Sequence, residues 1–283
     1  MRPDLSVSTL SPTEFRARVV PALSIREAEN GLPIGIALRL AQNPGVGATA
    51  LLLSIESAGA VVGAAVWTPP HDIVVTRLPA GAAQLVAEHC LRFGQSVTGT
   101  SGPDRSGLEL AEHLARATAS TVRVRKRQRV YQLLTVDELP RAAGAMRQAI
   151  TEDVPLIAEW YSQFVREVDL AHGAEPQAWA SAAVASGSAF LWADDHGARS
   201  LACLSRESPN GRAIGPVYTP LSARRQGYAT SLVADLARLV LASGKRLVVL
   251  FTDAENPTSN HIYEQIGFRL VCEYDAYTIT ARV

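Results

Sequence analysis

The chain has 283 residues, room for two ordinary domains or one large one. Hydrophobic residues at 47% against charged residues at 19% support a packed core and exclude general disorder. With 27 basic and 27 acidic residues the net charge is zero, which excludes a chain devoted to bulk nucleic acid or to an anionic membrane surface. Cys90, Cys203 and Cys272 are far apart and show neither a disulfide framework nor metal-ligand spacing, so no metal is expected and a reducing cytoplasm is the expected setting. The first residues lack the apolar core of a signal peptide, and no apolar run approaches the ~20 residues that span a bilayer. No membrane partner is expected.

The first ten residues read as extended. Thr13 to about Glu29 reads as a helix, kinked or split at Pro21 and stopped by Asn30-Gly31; a second piece runs from Ile34 to Ala41. Three strand-like runs follow, Ala50 to Ser57, Ala60 to Thr68 and Ile73 to Leu78, punctuated by Gly59 and Pro69-Pro70. Ala82 to Phe93 reads as a helix, Gln95 to Thr100 as a short strand, Ser106 to Ala117 as a helix and Thr121 to Thr135 as one strand. Arg123, Arg125, Lys126, Arg127 and Arg129 form the chain's charge run. It fits a solvated face that protects a sheet edge, or a cradle for an anionic substrate at a domain junction.

Asp137 to Gly144 is the linker candidate, which places one domain at 1–137 and a second at 138–283. The second starts with a strand near Ala145 to Ala149. A helix follows, with a Thr151 cap, an acidic first turn and an early Pro155, and runs to about Val168. Another helix near Glu175 to Ser186 precedes paired strands at Ser188 to Ala193 and Ser200 to Arg206. Then come an apolar strand ending at Gly215-Pro216-Val217-Tyr218-Thr219, a basic glycine-bearing loop, a helix from Ser231 to Leu241 and a buried strand from Leu247 to Thr252. Last is a short helix from Asn256 to Ile266, closed by Gly267-Phe268.

The loop carries the first chemical clue. A helix start leaves backbone N–H groups unpaired with partial positive charge, so it favours anions. Gly227 permits close approach of a ligand, and Arg224 and Arg225 suit phosphate oxygens. The spacing is not that of a nucleotide phosphate loop or of a dinucleotide fingerprint.

Arg224-x-x-Gly227-x-Ala229, followed by Asn256-x-x-Ser259-Asn260-x-Ile262-Tyr263-x-x-x-Gly267-Phe268, resembles the two signatures of the GCN5-related N-acetyltransferase superfamily. The second half looks most similar to its FR47-like group. The first half has a compatible order of elements, but its loop from Arg77 to Ala82 lacks the arginine-led pattern. It resembles a degenerate sister domain. The implied fold is α/β: tandem domains, each a mixed, largely antiparallel sheet flanked by helices.

The resemblance implies an acetyl-CoA (acyl-CoA) dependent N-acetyltransferase acting on a primary amine of a small molecule or peptide. The alternative is a non-catalytic acyl-CoA-binding sensor or scaffold. By position, the main chain of Val217, Tyr218 and Thr219 would pair with the pantetheine arm where that strand splays from the next, although Gly215-Pro216 also fits a simple bulge. Arg224, Arg225, Gln226, Gly227, Tyr228, Ala229 and Thr230 would hold the pyrophosphate. Asn256 and Asn260 would lie along the arm, with Asn256 equally suited to cap the helix. Tyr263, two turns beyond Asn256, is the candidate acid for the leaving thiolate, or else a core tyrosine. No base is nominated outright: Glu207, Glu159 and a water chain are candidates, and His261 reads as a surface residue. Trp160, Tyr161, Phe164 and Trp179 read as core or as an acceptor wall.

Overall fold

The computed structural model describes residues 4–43, 45, 49–168 and 174–282. The N-terminal half contributes β1 (Leu5–Leu10), α1 (Pro12–Arg18), α2 (Val20–Leu23), α3 (Glu27–Gln42), β2 (Leu51–Ser57), β3 (Ala60–Trp67), β4 (Ile73–Val75), α4 (Ala82–Arg92), β5 (Gly99–Pro103), α5 (Ser106–Ala117), β6 (Ser120–Lys126) and β7 (Gln128–Leu133). The C-terminal half contributes β8 (Ala145–Gln148), α6 (Val154–Glu167), α7 (Pro176–Ala185), β9 (Ala189–Asp194), β10 (Gly197–Glu207), β11 (Gly211–Tyr218), α8 (Tyr228–Ala242), β12 (Leu247–Asp253), α9 (Pro257–Ile266) and β13 (Arg269–Ala281).

All the strands join one mixed, mostly antiparallel sheet in the order β1-β2-β3-β4-β5-β13-β7-β12-β11-β10-β9-β8, with β6 also on β13. The halves exchange strands. β7 lies between β12 and the first part of β13, while the later part of β13 pairs with β5 and β6. β7 and β13 therefore cross a division at 137/138, as does α3.

Four details differ from the sequence reading, each for a physical reason. Asn30-Gly31 does not stop a helix: α3 runs through it and through Pro33. Asn30 Nδ2 donates to Leu23 O (3.0 Å) inside the fold, and burial of Ala28, Ile34, Ala37 and Leu40 outweighs the ~1 kcal/mol propensity cost of a helical glycine. β5 begins at Gly99, later than expected, because its glycines are strand residues and not turn signals. A Cβ on Gly102 would lie 2.6 Å from Val75 Cγ2 and 3.1 Å from Val75 O. The run after Thr121 is two strands, since β6 pairs with β13 and β7 switches to β12. At the start of α6, Thr151 is not the cap. The Asp153 carboxylate accepts from Ile150 N (2.9 Å) and from Arg147 (2.6 and 2.8 Å).

Helices α8 and α9 cover one face of the C-terminal sheet, over Tyr131, Leu133, Trp192, Ile214, Val248 and Leu250. On the other face, α6 and α7 cover β9 to β11. Beside them α3, from the first half, covers β12, β7 and β13. Among the described residues no helix is long and apolar enough to cross a membrane.

Candidate functional site

β11 and β12 are paired in parallel at Gly211↔Leu247, Arg212↔Val248 and Ala213↔Val249, and then part. Beyond that apex, β11 from Ile214 to Tyr218 turns an unpaired main-chain edge toward the gap. Gly215 stands beside open space: a Cβ built on it meets no heavy atom within 4 Å. Val217 is half-buried and Tyr218 is buried. The Tyr218 hydroxyl donates to Gln163 Oε1 on α6 (2.6 Å), and Thr219 Oγ1 hydrogen-bonds with Ser200 Oγ (2.8 Å).

The same place in the N-terminal half is closed. β4 and β5 pair in parallel at Ile73↔Thr100 and Val74↔Ser101. Val75 then sits directly against Gly102. The Leu78 amide donates to Ser106 Oγ at the start of α5 (2.9 Å), and Arg77 is held by Glu29 and Asp104. The gap that β11 leaves open is filled here by the protein itself.

At the mouth of the open gap, a short turn at Leu221–Ala223 leads through Arg224 and Arg225 to Gly227, which caps α8 with φ of 77°. Arg225 is also left-handed, at φ 62°, and its exposed side chain has no carboxylate partner among the described residues. Arg224 is placed differently. Its Nη2 donates to both carboxylate oxygens of Glu167 on α6 (2.7 and 2.8 Å), its Nε donates to Thr219 O (2.8 Å), and the guanidinium lies over the Tyr218 ring. It is a strut between α6, the end of β11 and the loop. Tyr228 is buried, and its hydroxyl donates to Asp194 Oδ2 (2.8 Å) with the Gln226 amide 3.2 Å away, which fixes the first turn of α8. Gln226 itself is exposed, while Ala229 and Thr230 are half-buried on that turn.

On α9, Asn256 caps the helix, accepting from Ser259 N (3.0 Å). Asn260 is buried; its Nδ2 donates to Asp253 O and Ala254 O, and its Oδ1 has no partner. Tyr263 is 9% exposed, with its ring edge-on to Phe268 at 5.9 Å. Burial pushes its pKa up to about 12, and its hydroxyl has no acceptor among the described residues. Asn260 and Tyr263 thus share the inner face of α9, each with an unpartnered polar atom.

The carboxylates weighed as bases lie elsewhere. Glu207 pairs with Arg212 (2.9 Å) and Lys245 (2.7 Å), which together hold its pKa below the ordinary range. Glu159 is exposed and accepts from Gln163 (3.0 Å), and His261 is exposed on α9. Tyr161 and Trp179 stack on each other at 3.9 Å, and Trp160 packs against Tyr218, so these aromatics build the α6–α7 core. All three cysteine thiols are buried, with pKa values pushed up to about 12. Of the charge run, Arg125 pairs with Asp72 and Lys126 donates to Val168 O (3.2 Å). Among the described residues no cluster of His, Cys, Asp and Glu is arranged to hold a metal ion. The links Arg224–Glu167 and Tyr218–Gln163 went unread in the sequence, because they join segments more than fifty positions apart without local periodicity.

The chain has the tandem fold of solved GCN5-related N-acetyltransferases. It is similar over 100% of its length to 98% of a GCN5-related N-acetyltransferase from Sphaerobacter thermophilus (15% identity, TM-score 0.62). It is similar over 99% of both chains to a tandem GNAT protein from the clavulanic acid biosynthesis pathway (15%, 0.59). A GNAT-family acetyltransferase from Colwellia psychrerythraea aligns with 98% of this chain over its whole length (12%, 0.57). Within that fold, residues 196–277 match the family model for FR47-like protein. No curated protein matches the sequence.

Proposed function

We propose that the chain is an acetyl-CoA-dependent N-acetyltransferase that passes an acetyl group directly to a primary amine, with one working site, in the C-terminal half. The observation that carries this reading is the contrast between the two gaps: open beside Gly215, filled by Val75 against Gly102.

The residues of the open gap fit the cofactor. The free edge of β11 at Val217 and Thr219 offers main-chain groups to the amides of the arm, although Thr219 O is already shared with Arg224. The N–H groups of Gln226, Gly227, Tyr228 and Ala229, near the positive end of α8, suit the pyrophosphate, and Arg225 supplies the unspent charge. Asn260 Oδ1 is a buried acceptor in need of a donor, which an amide N–H of the arm would provide. Bound acetyl-CoA supplies an electrophilic carbonyl and a thiolate leaving group. The Tyr263 hydroxyl holds the proton that the thiolate needs, and its raised pKa keeps it protonated throughout the physiological range. The ammonium proton of the acceptor leaves through water, since Glu207 and Glu159 are committed elsewhere.

The test is a panel of primary amines with acetyl-CoA, read by release of free thiol, beside calorimetry of cofactor binding. Turnover with any acceptor supports the transferase. Tight binding with no turnover on any acceptor replaces it with an acyl-CoA sensor or scaffold.

A further inference from the structure

Arg206 on β10 packs against α3, on the sheet face opposite α8 and α9. Its Cβ lies so close to α3 that a Cβ on Gly35 would be 2.9 Å from it. Its guanidinium carbon is 5.4 Å from the centre of the Phe251 ring on β12. Phe251 is two residues past Val249, the last β12 residue paired with β11, so the guanidinium spans β11 at the apex of the open gap. Phe251 meets Tyr274 edge-on at 5.1 Å, which completes an aromatic wall.

Among the described residues no carboxylate meets this cation. Arg77, Arg147, Arg199, Arg212 and Arg224 each meet a carboxylate. Arg206 has no hydrogen-bond acceptor among the described residues and is only partly reached by solvent. Its surroundings depress its pKa through burial, and the Tyr274 phenol nearby stays protonated, so it offers no counter-charge. A guanidinium held against an aromatic ring, still reached by solvent and with no carboxylate beside it, is free to take an anion. The missing anion points to a ligand.

We propose that Arg206 binds the carboxylate of the acceptor, which makes the acceptor a carboxylate-bearing primary amine such as an amino acid or a peptide with an acid group near its amine. This rests on the transferase reading and narrows it. The phosphates of the cofactor belong to the other end of the gap, at Gly227; Arg206 is at the closed end, beside the Glu207↔Arg212 pairing. An acceptor reaching the gap beside α3 would meet the planar fork of the guanidinium at the apex, with bidentate geometry that fixes the amine.

The experiment compares glycine with glycinamide and β-alanine with β-alaninamide as acceptors for the wild type, Arg206→Gln and Arg206→Lys. In parallel, calorimetry follows N-acetylglycine and N-acetylglycinamide binding to the CoA-loaded full chain. The wild type should prefer the acids, and Arg206→Gln should lower kcat/KM for the acids about 10²-fold more than for the amides. Arg206→Lys, which keeps charge but not the fork, should fall between. N-acetylglycine should bind the wild type and bind Arg206→Gln at least about tenfold more weakly. Equal use of acids and amides, an equal fall for both in the variants, or binding of neither N-acetyl compound overturns the assignment. Acetylation of amides alone sinks it and leaves the transferase standing. Arg206-dependent binding of N-acetylglycine with no turnover keeps the anion site and sinks the transferase.

Discussion

Replacing Tyr263 by Phe keeps the ring against Phe268 and removes one oxygen, whose environment sets what should follow. The hydroxyl donates to nothing within the described fold, so its loss forfeits no hydrogen bond. Folding stability should change by less than about 1 kcal/mol. The pKa near 12, against the ordinary value of about 10, disfavours the phenolate by roughly 3 kcal/mol. The group therefore holds its proton up to about pH 11 and contributes no alkaline limb to the rate below that. Under single-turnover conditions, with thiol release as the readout, Tyr263→Phe should lower the chemical step by about 10²-fold or more. Acetyl-CoA affinity, measured by calorimetry, should change by less than about threefold. A chemical step near the wild-type rate would remove Tyr263 from the reaction and give the proton to water. A tenfold weaker affinity would make it a binding residue instead.

Gly227→Glu should lower acetyl-CoA affinity at least about tenfold, because it places charge and bulk at the α8 cap and forces a side chain onto a φ of 77°; unchanged affinity in a folded variant would clear the loop of phosphate binding. Titration calorimetry of the full chain should give one acetyl-CoA per chain, since Val75 fills the N-terminal gap, and two equivalent sites would contradict that. Arg225→Met should weaken acetyl-CoA binding more than Arg224→Met, because Glu167 already occupies the Arg224 guanidinium; the reverse order would make Arg224 the phosphate ligand. The Tyr263 phenol and the Cys203 thiol, both raised to about 12 in the fold, ionise in the unfolded chain from about pH 10 and pH 9. Their contribution to stability is complete below those values and is lost as pH rises toward 12. The melting temperature should therefore fall steeply over that window, and a flat profile would show the groups accessible to water.

The helices were legible where the chain repeats a local pattern. α5 lies where its spaced leucines set it, with Leu110 and Leu114 inward, and α9 begins at the Asn256 cap and ends at the left-handed Gly267. The open gap was legible too, because Gly215-Pro216 interrupts a strand that would otherwise pair along its length. What the sequence concealed depends on partners distant along the chain. Nothing local says that β13 serves both halves, that Gly99 and Gly102 are glycine because Tyr277 and Val75 press on them, or that Asn30-Gly31 is buried inside a helix. Arg206 reads in sequence as the polar end of an apolar strand. Its isolation becomes visible once α3 is folded against it.

The exchange of β7 and β13 has a consequence for how the chain is built on a ribosome. Tyr131 on β7 meets Glu264 on α9, 133 positions later, and Thr121 on β6 meets Thr280 on β13, 159 positions later. The first half therefore emerges with a raw sheet edge beside β5 and β6, waiting for a strand near the far end of the chain. Contacts this distant are slow to close, and open edges invite pairing with other chains. Synthesis should pass through a long interval in which neither half can complete itself. Expression of this protein should then be more sensitive to temperature and to chaperone supply than its finished, edge-sharing sheet would indicate.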